Sequence, residues 1–399
     1  MRQADQAVSV RQRDDRQQSD RQRALAAVIL GRLSDVSPTQ DTWSRLFEDA
    51  RREGVAPLIY RQLRHAGGSY EAPETITAQF GHEYYSTLTA NLIRSGFLVK
   101  LSCVLANRGV EHIILKGAAL IPLVYSDPGL RPMADLDLFV RVADRERAKS
   151  ILNKVGYECM LLERVPGFNQ RFGCEDAFKH PRCSFGLVEI HSRLVEPVFV
   201  SPRMPDESLW ARTVFVELDG VEVRVLGAED SVLALASHAI FKHRARGKLI
   251  WFYDIDRLVR SFEARLSWPL LLELGEQLRC LLALRLALSR CVALFETPVP
   301  QDVLARLDDH RSTVFERAAL HWNKTSDVLL SAWALPGWRN KIGYFRGHAM
   351  PSPLYIASCY GLPGRWPSLF YYGYRLGALG AALPRQICEN LGGGKRQRQ

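Results

Sequence analysis

The residues best placed to do chemistry together are Asp135 and Asp137, separated by one leucine in an alternating run from Asp135 to Val142, DLDLFVRV. On a strand, positions i and i+2 project from one face, so both carboxylates point to one place while Leu136 and Leu138 face the core. Two like charges held that close are costly unless a cation lies between them. Oxygen ligands favour a hard divalent ion, Mg²⁺ or Mn²⁺. A third strand-borne acid, Glu189, sits in the run VEIH, where Val188 and Ile190 face the other way. Upstream, Gly117 ends a short β-branched run and opens a helical stretch. There the backbone can approach a phosphate, and a helix N-terminus can meet its charge. Lys116 and Arg131 add cations on either side. A DxD triplet alone is more often a solvated strand end. The third acid, the glycine turn and the cations together suit metal-assisted phosphoryl or nucleotidyl transfer.

Other candidates carry less. His238 and His243 are roughly 140° apart on a helix at about 100° per residue, which predicts one core-facing and one solvated histidine rather than a same-face pair. Asp254 and Asp256 flank Ile255 and read first as structural hydrogen-bonding acids. His191 beside Glu189 either orients a carboxylate or is an ordinary strand histidine. The run from Gly392 to Lys395 lacks the spacing of a phosphate-binding loop.

The elements that must position these residues fall into segments. Residues 1–23 are Gln, Arg and Asp with almost no apolar side chains, which predicts a disordered leader. Residues 24–105 carry apolar positions at spacings of three and four, as in Trp43, Leu46, Phe47 and Ala50, and predict a helical domain interrupted at Pro73. Residues 106–226 alternate strand and helix patterns. They include a strand over 183–194 and a hairpin over 214–226, whose Asp219-Gly220 turn joins two alternating runs. Residues 227–330 are helical and Leu-rich, 331–391 form an aromatic and basic subdomain, and 392–399 a disordered tail.

Composition narrows the class. A chain of 399 residues with 47% hydrophobic and 24% charged residues can bury a real core, and excludes a disordered, collagenous or disulfide-stapled protein. The 53 Lys and Arg against 43 Asp and Glu give +10, which draws polyanions, but much of the surplus lies in the two ends. No stable nucleic-acid complex is expected. Eight cysteines without a CxxC pair fit reduced thiols in a cytosol. The late apolar stretch 368–383 is interrupted by Arg375 and glycines, so no membrane span is expected there or elsewhere.

The strand, Lys116-Gly117, helix, and then Arg131, Asp135 and Asp137 in RPMADLDLFV resemble the signature of the DNA polymerase β-type nucleotidyltransferase superfamily. They are most similar to a bacterial family of uncharacterised nucleotidyltransferases marked by LKG followed by RxxxDxD. The likeness extends weakly from Phe47 to Tyr60, to Glu189 and His191, to Glu229, Asp230, His238 and Asp254, and to residues 351–355. It implies an α+β fold, with a mixed-sheet core flanked by helical regions. It further implies that Asp135 and Asp137 bind the metals holding a nucleoside triphosphate and that Glu189 completes the site. Lys116, Gly117 and Arg131 are then the triphosphate contacts. The superfamily's common Gly-Ser is Gly117-Ala118 here, so a hydroxyl contact is missing and Lys116 is the compensating charge.

The expected reaction moves a nucleoside monophosphate to a hydroxyl of an unidentified acceptor (small molecule, protein or RNA end), releasing pyrophosphate, in a bacterial cytoplasm. The alternatives are a non-catalytic nucleotide- or partner-binding protein on the same fold and a γ-phosphate phosphotransferase.

Overall fold

A computed structural model describes residues 2–32, 40–65, 72–160, 162–183, 185–201, 207–322, 324–362 and 369–374, with backbone alone for 2–15, 40 and 324–325. The expected tail 392–399, most of the late apolar stretch and Cys388 lie outside the described residues. Four helices come first: α1 (Arg2–Ile29), α2 (Gln40–Glu53), α3 (Ala56–His65) and α4 (Glu74–Asn107). The strands are β1 (His112–Ile114), β2 (Leu136–Val140), β3 (Glu158–Cys159), β4 (Glu175–Lys179), β5 (Leu187–His191), β6 (Val214–Leu218) and β7 (Val221–Val225). Between them lie α5 (Lys116–Leu120), α6 (Arg145–Lys154), α7 (Phe168–Phe172) and α8 (Glu207–Ala211). Then follow α9 (Ala228–Ser237), α10 (Leu249–Phe262), α11 (Trp268–Gln277), α12 (Leu281–Phe295) and further helices to Tyr360.

The strands form one mixed sheet in the order β3-β4-β5-β2-β1-β7-β6, so the architecture is α+β as the resemblance implies. β2 runs parallel to β5 and antiparallel to β1, which places it near the middle of the sheet. Leu136, Leu138, Val188 and Ile190 send their side chains into one core with Leu98, Leu101 and Leu152, so the opposite face of β2 and β5 is left for polar residues. The hairpin forms where its turn sequence predicts: Asp219 (φ +50°) and Gly220 (φ +77°) both take the left-handed backbone a two-residue turn needs. β4 was not legible as a strand, and the 183–194 strand begins only at Leu187, because Pro181, Cys183 and Gly186 make a turn before it.

A second, larger core joins α1–α3 to α9–α12 through Leu25, Trp43, Ile59, Leu235 and Leu284. The disordered-leader expectation for 1–23 is corrected here. Residues 2–23 belong to the continuous helix α1, and Gln22 is fully buried, donating to Glu53 at 2.7 Å and to the Gly247 carbonyl at 2.9 Å. Leu25 and Val28, one to two turns on, bury enough surface to dock the helix, which the polar composition of its first turns conceals. By length and composition α4 is apolar enough to cross a membrane. Its Ile76 and Phe80 enter the helical core and its Leu98, Leu101 and Leu105 the sheet core, which is how a long core helix packs. The seven described cysteines are all free thiols.

Candidate active site

Strand register assembles the acids. Asp137 stands opposite Glu189 and Phe139 opposite His191, and Asp135 immediately precedes β2. Asp135, Asp137, Glu189, Lys116, Gly117 and Arg131 all line one cleft of about 450 Å³.

Asp137, only 2% exposed, takes two cations on one oxygen: Lys116 Nζ at 2.6 Å and His191 Nε2 at 2.7 Å from Oδ1. Burial alone would raise its carboxyl, but Lys116 and His191 outweigh that and hold it far below the usual carboxylate range. Asp135 has no ion pair among the described residues. Burial, with Asp137 and Glu189 repelling a further negative charge, pushes it up to about 6. His191 is buried, which opposes its charge, yet hydrogen bonds to Asp137 and Glu189 raise it to about 9, so the ring is an imidazolium at neutral pH. Its Nε2 lies 3.3 Å from Glu189 and its Nδ1 3.7 Å from Glu175, and Glu175 in turn accepts from Lys242 at 2.7 Å. Among the described residues, two groups of possible metal-ligating atoms lie mutually within 4.8 Å: Asp137, Glu189 and His191, and Glu175, His191 and Glu196.

Several residues stand differently from their sequence-based expectation. Lys116, at φ +49°, takes the left-handed backbone at the strand end, a conformation that costs a lysine energy. Gly117 is closely packed: a Cβ there would lie 2.7 Å from Met133 Cγ and 2.9 Å from an Arg131 guanidinium nitrogen, so either side chain would have to shift. Arg131 is expected as a triphosphate contact, but its guanidinium is committed to protein. It donates to Asp254 at 2.6 to 3.2 Å and to the Pro132 carbonyl at 2.6 Å. Asp254, fully buried, also accepts from the Tyr125 hydroxyl at 2.6 Å, so this group pins the loop before β2 to α10. Asp176 is buried against Arg145 at 2.8 Å on the other face of the sheet, with Ile190.

The histidine expectation is also corrected. Residues His238–Lys242 form a π turn, with the His243 amide donating to the His238 carbonyl, and the wider turn brings positions five apart onto one side. The two rings are 4.7 Å apart, both beside Trp251, and all three line the same cleft as the acids, together with Lys242 and Lys248. No sequence signal marks a π turn, and an α-helical wheel separates the pair.

A family model described as an uncharacterised nucleotidyltransferase matches residues 39–296. Among solved structures, the chain is similar to the antibiotic-resistance factor ANT(2'')-Ia, at 14% identity and a TM-score of 0.34, over 52% of this chain and 96% of that one. It is also similar to an antigenic nucleotidyltransferase-like protein from Paracoccidioides brasiliensis, at 18% identity and a TM-score of 0.32, over 59% and 97%. No curated protein matches it.

Proposed function

The chain belongs to the uncharacterised nucleotidyltransferase family, and from that premise we propose that it moves a nucleoside monophosphate from a triphosphate to an acceptor hydroxyl at the Asp135, Asp137 and Glu189 cleft. The acceptor oxygen forms a bond to the α-phosphorus, the bond from that phosphorus to the bridging oxygen breaks, and pyrophosphate leaves. The observation that carries this reading is the register of Asp137 beside Glu189, with Asp135 on the same face of the same cleft.

The residues fit a divalent metal. The donors are carboxylate oxygens, the Asp135 carboxyl is raised by burial and by the neighbouring Asp137 and Glu189 charges, and the Lys116 ammonium stands among the acids as a substitute cation. Asp135, Asp137 and Glu189 would hold Mg²⁺ or Mn²⁺, which when bound supplies charge neutralisation for the triphosphate and the departing pyrophosphate. Glu189 is the residue that accepts the acceptor hydroxyl's proton. Lys116 and His191 fix the Asp137 carboxylate, and Arg131 orients the loop through Asp254 rather than touching phosphate. A bacterial, cytoplasmic setting and the division at residues 24–105, 106–226 and 227–330 belong to the same proposal.

The test is incubation with α-labelled and γ-labelled triphosphates, Mg²⁺ and a cell extract. Retention of α-label in an acceptor, with release of labelled pyrophosphate from the γ-labelled nucleotide, is expected. Retention of γ-label would replace this reading with phosphotransfer.

A further inference from the structure

In the same cleft as the acids, His238, His243 and Trp251 form a patch of three rings. His243 lies 4.3 Å from Trp251 at 37°, and His238 meets both rings nearly edge-on, at 4.7 Å from each. All three are half-buried at the cleft wall. Among the described residues, no ring nitrogen of His238 or His243 has a hydrogen-bond partner. Neither ring has a nitrogen among the buried unpartnered atoms, so the imidazole nitrogens are open to solvent and to whatever enters the cleft. The backbone adds a second sign. A π turn is rare and concentrates at functional sites, and this one is held in place by Trp322, whose indole donates to the Phe241 carbonyl at 3.1 Å.

From this geometry we infer that the ring patch is the nucleobase subsite, where Trp251 and His243 offer a stacking surface and the imidazole nitrogens meet the base edge. The inference rests on the nucleotidyltransfer reading above and assigns a further part of the same cleft. Charge division favours a base over a phosphate at these rings. Burial, aided by Lys242 and Lys116, depresses both imidazoles, His243 to about 4, so both are neutral at physiological pH. Neutral rings with free donor and acceptor positions suit a flat, uncharged heterocycle, whereas the lysines beside them suit its phosphates. Stacking tolerates any base, so a bare preference for one nucleotide is not required.

The experiment is calorimetric titration of the full chain, in Mg²⁺, with each of the four ribonucleoside triphosphates and with inorganic tripolyphosphate. Trp251→Ala is expected to weaken nucleotide binding roughly 5- to 150-fold, the usual worth of one stacked base, with tripolyphosphate binding unchanged. Trp251→Phe, which keeps a ring, is expected to retain most of the affinity. His243→Ala is expected to act in the same direction as Trp251→Ala. Equal loss for nucleotide and tripolyphosphate would mean that Trp251 only shapes the cleft, and unchanged nucleotide affinity would place the base elsewhere. Either result overturns the inference while leaving nucleotidyl transfer intact. A wild-type chain that binds no triphosphate at all would overturn both.

Discussion

The two walls of the cleft were built by different local rules. On the acid wall, each side chain is aimed by strand alternation and by one pairing register, Asp137 to Glu189, so sequence spacing translates directly into shared direction. On the ring wall, His238, His243 and Trp251 come from a π turn and the start of α10, where a single extra residue in the turn rotates everything after it. The electrostatics differ as well. The acid wall holds charges that compensate one another tightly, whereas the ring wall holds neutral imidazoles beside exposed or partly exposed lysines. A site can thus be half rigidly written in a periodic pattern and half dependent on an irregular backbone.

The strongest way to break this comparison is to remove a charge from the acid wall. Asp137→Asn leaves Lys116 and His191 without their shared partner and removes a metal ligand. Calorimetry is expected to show Mg²⁺-dependent triphosphate binding lost, and Asp135→Asn is expected to do the same. Binding unchanged in both variants would move the metal site away from β2. Glu189→Gln sharpens the division of labour within that wall. It keeps volume and removes charge, so turnover is expected to fall by about 10² to 10⁴ while triphosphate affinity stays near wild type, as for a positioned base. Rate and affinity both near wild type would make Glu189 an ordinary strand residue.

Legibility followed the same division. Asp135, Asp137, Glu189, Lys116 and Gly117 could be read from the sequence because strands and a strand-to-helix turn have fixed periods, and the α+β class followed from where those periods change. The role of Arg131 could not. Its partner Asp254 lies more than a hundred residues away, and only the folded chain shows that three of the guanidinium's N–H groups are bonded to protein. The leader was misread because Gln22 is polar by composition yet buried by position, and polar residues with a full set of partners leave no hydrophobic signature. The ring wall was missed because a helical wheel assumes a regular turn.

The loop that carries the acid wall depends on the Arg131 and Asp254 pair, which joins it to the helix that carries Trp251. Breaking the pair from one side leaves a buried guanidinium uncompensated and the Tyr125 hydroxyl with a poorer acceptor. Asp254→Asn is therefore expected to lower stability by about 3 kcal/mol or more, the usual cost of orphaning a buried charge. Urea unfolding measures it. A variant as stable as wild type would show that the pair does not tie the two walls together.

The smallest expected effect comes from Gln22, which with Gln18 joins the supposed leader to the segment before the ring wall. Its amide nitrogen donates to the Gly247 carbonyl, one residue before Lys248 and four before Trp251, and its amide oxygen accepts from Arg290 at 2.7 Å. Gln22→Ala removes these bonds from a fully buried position; Glu53 keeps the Leu249 amide and the Gly247 carbonyl keeps Gln18, but Arg290 loses its acceptor, a loss of about 1 to 3 kcal/mol. Because the lost bonds hold the segment leading into α10, nucleotide affinity is expected to weaken a few-fold in Gln22→Ala and by more than tripolyphosphate affinity, which the acid wall also sets. Loss of stability with equal affinities for both ligands would mean that α1 supports the helical core alone. In that case the ring wall would owe its position to the π turn and Trp322, and the docking of α1 would bear on stability and not on the site.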